Sequence, residues 1–152
     1  MSEADNMALV RRFIEQGYPG LVHGNLDVLH QYFADNYYDH TPLHPEESGV
    51  QGVKEVALDI GQAAPDYREE VLHIAADGDL VFVHRRATFT HQEQSQVTKH
   101  VSNVEPTGEE GTTSGISLFR IENGKFVEGW HYHNVLEYAM AQSQGGAATG
   151  SS

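Results

Sequence analysis

Cysteine is absent from the 152 residues. That excludes a disulfide framework and a thiol nucleophile, and it leaves packing to hold the fold. Basic residues are scarce, nine against 22 acidic ones, for a formal charge of -13. A chain so acidic repels nucleic-acid phosphates and anionic lipid, so neither nucleic acid nor membrane is expected as a partner. The partner expected is a neutral or cationic small molecule. No apolar run reaches membrane-spanning length, and the opening MSEADNMALV lacks the basic start and apolar stretch of a signal peptide. A cytoplasmic protein is the expectation.

What is present suffices for one core. Of the residues, 39% are apolar, enough for a single domain over 1–144, while the Gly, Ala, Ser and Thr of 145–152 predict a disordered tail. Ser2 and Asp5 can cap a first helix carrying Met7, Val10, Phe13, Ile14 and Tyr18 at helical spacing, interrupted at Pro19 and Gly20. Asn25 can cap a second, with Leu26, Leu29, Tyr32 and Phe33 as its apolar face and an end near Asp35 and Asn36. A short strand over 37–41 then runs into Pro42. Val53, Val56, Ala57 and Ile60 predict a third helix that closes before Pro65, because the residue ahead of proline disfavours helical geometry.

From there the pattern turns to strands. Residues 67–75 and 80–90 flank Asp77-Gly78, a two-residue hairpin turn. Pairing Ala76 with Asp79 sets His73 opposite Phe82 and Val71 opposite His84, with both histidines on one face. A short strand is expected within 100–104. Residues 112–121 and 125–135 flank Asn123-Gly124, the strongest hairpin signal in the chain; pairing Glu122 with Lys125 sets His131 opposite Ile116 and His133 opposite Ser114. A last helical turn is expected over 136–141. Helices first and hairpin-linked strands afterwards predict an α+β architecture, a bent antiparallel sheet covered on one face, with a cavity at its open end.

Three stretches carry a resemblance: Tyr37-Tyr38-Asp39-His40-Thr41-Pro42, then Asp77-Gly78-Asp79-Leu80-Val81-Phe82-Val83-His84, then Arg120 to Trp130 through Asn123-Gly124-Lys125. In order and spacing they resemble the SnoaL-like branch of the NTF2-like superfamily, whose members often read Tyr-x-x-His-Asn-Pro, Gly-Asp-Leu-Val-x-Val-His and Gly-Lys-Ile-Val-Glu-His-Trp-Asp. The resemblance implies a cone whose strongly curved antiparallel sheet is covered on one face by N-terminal helices. It also implies cofactor-independent acid-base chemistry on a carbonyl-bearing, polyketide- or terpenoid-like molecule, by aldol cyclisation, isomerisation or dehydration. Members of the superfamily also include plain binding domains, and fold alone does not separate these.

The resemblance also points to residues. Where relatives carry Asp after the tryptophan, this chain has His131, and Gly129 precedes Trp130 where His is common. An imidazole, with an ordinary pKa of ~6.5, both takes and gives protons near neutrality, so His131 is the first catalytic candidate, against a structural cross-strand role. His40, pinned by Pro42, is a second candidate to bind or orient substrate oxygen. His84 is a third, on the strand face of Leu80, Phe82 and Arg86. Asp39 alternates to the other face, either solvated or fixing a histidine tautomer. Tyr38, Arg86, Trp130, Tyr132 and His133 are candidate substrate contacts. His131-Tyr132-His133 with Glu137 reads His-x-His-x3-Glu, a possible start of a metal site whose completing ligands would be His40 or His84. No second ligand motif follows, so no metal and no cofactor are expected. A one-sided helix cover leaves the outer sheet face needing protection, which predicts a homodimer.

Overall fold

The computed structural model describes residues 1–43, 46–92 and 106–134. Ser2 opens the first helix, α1 (Glu3–Arg12), with a capping box: its side chain accepts from the Asp5 amide at 3.1 Å while the Asp5 carboxylate accepts from the Ser2 amide. Helical rotation does not stop at Pro19. A π-helical turn, Phe13–Gly17, leads directly into α2 (Tyr18–Val22), and Pro19 sits in the first turn of α2, where proline is tolerated. Gly17 lets the Tyr32 ring lie against this turn; a Cβ there would come within 2.9 Å of the ring.

The second expected helix is shorter than its apolar pattern suggests. Its helical part, α3, covers Asp27–Tyr32, and Phe33 already starts strand β1 (Phe33–Asp39). Tertiary packing overrides the helical spacing, because Phe33 pairs with Phe126 and its ring sits edge-on to Phe13 and Tyr37. The third helix, α4 (Val50–Ala63), ends before Pro65 as expected.

Among the described residues, the strands β2 (Arg68–Asp77), β3 (Leu80–Thr90), β4 (Glu110–Glu122) and β5 (Lys125–His133) complete a five-stranded, curved, unclosed sheet in the order β1-β5-β4-β3-β2. All neighbours are antiparallel except β1 and β5, which run parallel. The β2–β3 turn falls one residue later than expected. Asp77 pairs with Leu80, so Gly78, at φ 62, and Asp79 make the turn and His73 faces His84 directly, not Phe82. Asn123 and Gly124 do form the second turn, both with positive φ (51 and 74), and Glu122 pairs with Lys125. Beyond it the register shifts between Arg120 and Ile121. His131 therefore pairs with Ser117 and His133 with Gly115, in place of Ile116 and Ser114. The expected strand within 100–104, the helical turn over 136–141 and the tail lie outside the described residues.

Phe13 centres the core. Its ring meets Tyr18, Tyr32, Phe33, Phe119 and Phe126 at centroid distances of 5.0 to 5.8 Å. Each fully buried aromatic contributes about 1.5–3 kcal/mol over leaving it in water. This cluster fixes the helices against the inner face of the sheet, and so fixes the walls of the space between them.

Candidate functional site

Between the inner sheet face and the helices lies a pocket of about 570 Å³, counting its open part. Phe13, Tyr18, Phe33, Tyr37 and Phe119 line it from the core side, and Val53 and Val56 from α4. Asp39, Thr41, Glu47, Arg85, His131 and His133 bring polar groups into this space. Few polar groups in an apolar concavity are the usual make-up of a small-molecule site.

The irregularity in the β4–β5 ladder is what turns the histidines inward. Phe126 and Val127 are both buried, and after this bulge Gly129, His131 and His133 share the face of Ser117 and Phe119. Had the pairing run on without it, His131 would have matched Ile116, which lies 51% exposed on the opposite face. Two glycines clear space for the imidazoles. A Cβ on Gly129 would lie 2.8 Å from His131 Nε2 and inside contact with the Tyr37 hydroxyl; one on Gly115 would lie 2.8 Å from His133 Nδ1.

His131 is held on every side. Its Nδ1 lies 2.8 Å from the Ser117 hydroxyl, its amide donates to the Thr41 hydroxyl at 2.5 Å, and its Nε2 lies 3.2 Å from the Tyr37 hydroxyl and 3.7 Å from Oδ2 of Asp39. Burial, then the nearby Arg85 cation and His133, holds the His131 pKa well below the usual imidazole value. The imidazole is neutral at neutral pH. Burial pushes Asp39 the other way, upward, against the lowering effect of hydrogen bonds from the Thr41 amide and hydroxyl. Burial and the Asp39 charge also raise the Tyr37 phenol, which stays protonated.

His133 belongs to a second polar group. Its Nε2 lies 3.4 Å from Nη2 of Arg85, whose Nη1 donates to both carboxylate oxygens of Glu69 at 3.0 and 3.2 Å. Burial, then Arg85, takes the His133 pKa down to about 3. For Arg85 burial alone would favour loss of the charge, but Glu69, Tyr67 and Tyr18 together more than offset it. Burial raises Glu69, with Arg85 opposing. The guanidinium also lies over the Tyr18 ring, 5.9 Å from its centroid.

Of the eight residues singled out in the sequence, the pocket is lined by His131 and His133. The other six project from the outer face. Trp130 and Tyr132 flank His131 along β5 and so point the opposite way. His40 stacks flat on Trp130, ring centroids 4.3 Å apart, and reaches Glu128 at 3.3 Å. Tyr38 packs edge-on against His40, at 4.9 Å. On β3 the inward set is Val81, Val83, Arg85 and Ala87, so the face chosen from Leu80, Phe82, His84 and Arg86 is the outer one. His84 pairs there with His73, Nδ1 to Nδ1 at 3.1 Å, and Arg86 bonds Glu70. Asp39 is the converse correction. It points inward with Tyr37, because β1 buries positions 33, 37 and 39.

Sequence reasoning also passed over Arg85, Glu69 and Ser117. The small or branched residues Val81, Val83 and Ala87 were the available sign of a packed inner face with Arg85 in its register. Among the described residues no three His, Cys, Asp or Glu side chains gather as a metal site. Nε2 of His133 already faces a cation, which opposes a second one there. Glu137 lies outside the described residues.

Comparison with solved structures shows the fold. The chain is similar to a candidate SnoaL-like polyketide cyclase from Jannaschia sp. CCS1, with a TM-score of 0.73, 19% identity and 93% of each chain covered. It is likewise similar to AclR, a candidate hydroxylase from Streptomyces galilaeus, with a TM-score of 0.73, 21% identity and coverage of 94% and 98%. A third is IdmH, a candidate polyketide cyclase from Streptomyces antibioticus, with a TM-score of 0.69, 23% identity and coverage of 95% and 99%. No curated protein matches the chain. The family profile described as SnoaL-like polyketide cyclase matches residues 8–142, from α1 through the pocket-lining strands, and the chain belongs to that family.

Proposed function

We propose that this protein is a cofactor-independent acid-base catalyst acting on a carbonyl-bearing small molecule of polyketide type, and that aldol cyclisation is its reaction. The observation that carries the reading is the Asp39–His131 pair in the pocket, 3.7 Å apart. A carboxylate raised by burial and an imidazole lowered by burial are brought toward one another in proton affinity. The names borne by the structural neighbours, two of them candidate polyketide cyclases, support the substrate class.

In this reading Nε2 of His131 takes the proton from the carbon beside a substrate carbonyl. The C–H electron pair becomes the enolate, and Asp39 balances the imidazolium charge. The enolate carbon then attacks a second carbonyl of the same molecule, forming one C–C bond, and the imidazolium returns its proton to the new alkoxide. Ser117, on Nδ1, holds the ring orientation.

Enolisation of a β-dicarbonyl probe, followed by absorbance, tests the reading. Asp39→Asn and His131→Ala should each slow it by about 10²–10⁴-fold, the usual worth of a positioned acid-base group. Wild-type rates in both variants would leave the pocket as a binding site without this chemistry.

A further inference from the structure

Arg85 is 8% exposed, sits in the pocket wall and is neutralised by Glu69. Burying a guanidinium and a carboxylate together is costly in desolvation, and well-packed apolar residues in their place are often no less stable. Such a pair, with its guanidinium in a cavity wall, therefore calls for a reason other than stability. The donor count supplies one. A guanidinium has five N–H donors. Here Nη1 serves both Glu69 oxygens, and Nη2 has one long contact, 3.4 Å, to His133. Among the described residues Nε is buried without a partner. Charge is balanced but donor capacity is unspent.

The position of this cation relative to the acid-base pair is the second element. The His131 and His133 rings stand 6.3 Å apart and nearly parallel, and His133 touches Arg85. A base must come within about 3 Å of the proton it takes, and an oxyanion donor within about 3 Å of the oxygen that gains charge. Two groups separated as these are can meet the two ends of one enolising unit.

We infer that Arg85, with His133 beside it, forms an oxyanion subsite, and that the ligands it takes are molecules whose oxygen becomes anionic on losing a proton: enolisable 1,3-dicarbonyls and acidic phenols. This rests on the proposed proton transfer for its catalytic meaning, though not for its binding test. When the proton leaves for His131, the electron pair it leaves behind is delocalised onto the oxygen at Arg85. No oxidant or co-reactant enters, and proton and charge remain inside the pocket.

The test uses 4-nitrophenol, whose anion absorbs distinctly from the neutral form, and 4-nitroanisole, which cannot ionise. Wild-type protein should bind the phenol as its anion, lower its apparent pKa, and hold it at least about tenfold more tightly than the ether, as expected for a charge-assisted hydrogen bond. Arg85→Met combined with Glu69→Leu removes both buried charges together and leaves neither unpaired; folding is checked by circular dichroism. This variant should lose the preference for the anion. Equal binding of phenol and ether by wild type would overturn the inference without any variant. So would retention of the anion preference in a folded double variant. The proton-transfer reading is scored separately on the β-dicarbonyl probe. Anion preference without enolisation would sink that reading and leave the subsite standing; enolisation without anion preference would do the reverse.

Discussion

Nε2 of His131 and Oδ2 of Asp39 lie 3.7 Å apart, one from the last described strand and one from the first, across the parallel contact between β5 and β1. Among the described residues that contact is where the N-terminal segment joins the sheet, so the meeting of the two groups depends on it. The backbone reinforces it twice. The His40 amide donates to the Gly129 carbonyl at 2.8 Å, and the His131 amide donates to the Thr41 hydroxyl. Rigid elements thus hold a carboxylate and an imidazole in one apolar space, which is how their proton affinities come to be shifted.

Replacing His131 by Asp separates the two candidate proton carriers. If the imidazole is the base, the variant places two carboxyl groups close together, and like charges raise the affinity of the pair for a proton. Residual enolisation of the β-dicarbonyl probe is expected, with its pH-rate profile displaced from that of wild type. A rate equal to wild type with an unchanged profile would reassign the chemistry to Asp39 alone.

Stability should fall on mild acidification. His133 in the folded chain has a pKa of about 3, and His131 is also lowered. Between the ordinary imidazole value of ~6.5 and these, the unfolded chain binds protons that the folded chain refuses, so stability is full above that value and declines as pH drops below it. The slope is about 1.4 kcal/mol per pH unit for each histidine. Asp39 and Glu69, raised by burial, act in the opposite sense, since the folded state binds their protons more readily, but around the carboxylate range. Urea midpoints at about pH 7 and pH 5.5 should therefore differ, and His133→Gln should narrow the difference. Equal midpoints for wild type would refute the assignment of neutral buried histidines.

How much of this was legible beforehand depends on the kind of signal. The Asn123-Gly124 turn was readable because both residues tolerate positive φ, and it fixed Glu122 against Lys125. The bulge at Phe126 and Val127 carries no sequence mark, so every partner beyond it was off by one. On β1, Tyr37-Tyr38-Asp39-His40 alternates aromatic and polar groups on both faces, and nothing local tells which pair is inside. The parity is set by Phe33 docking on Phe126 and Phe13, a long-range contact. The same limit explains β3, where Phe82 argues for its own face and Val81 and Val83 argue for the other.

The outer face of the sheet exposes Tyr38, Phe82, Ile116 and Tyr132, at 52, 41, 51 and 61%. Neighbouring strands place His84, Ile116 and Tyr132 in one row and Phe82, Leu118 and Trp130 in the next. A contiguous apolar patch of this kind is uncommon on a monomer. A symmetric dimer through this face is the expected state, with a sedimentation mass of two chains. Ile116→Asp should yield one chain. A wild-type mass of one chain at micromolar concentration would dismiss the dimer.

Gly129 offers the most local test of the site. It lies beside Tyr37 and His131 with no positive φ to require glycine, so close approach is the constraint. In Gly129→Ala the new methyl would sit inside contact with the Tyr37 hydroxyl and 2.8 Å from His131 Nε2. One or both side chains must move, at a cost of about 1–3 kcal/mol for overpacking. The movement also separates Nε2 from its present partners, so enolisation should drop by more than the loss of stability explains, visible as a lower kcat in fully folded protein. Tyr37→Phe removes the nearer obstacle. Combined with Gly129→Ala it should recover part of the lost stability, a non-additive outcome expected for residues in contact. If the two substitutions are additive in urea midpoint, the methyl is being accommodated elsewhere, and close approach of Tyr37 and His131 is not what requires a glycine before Trp130.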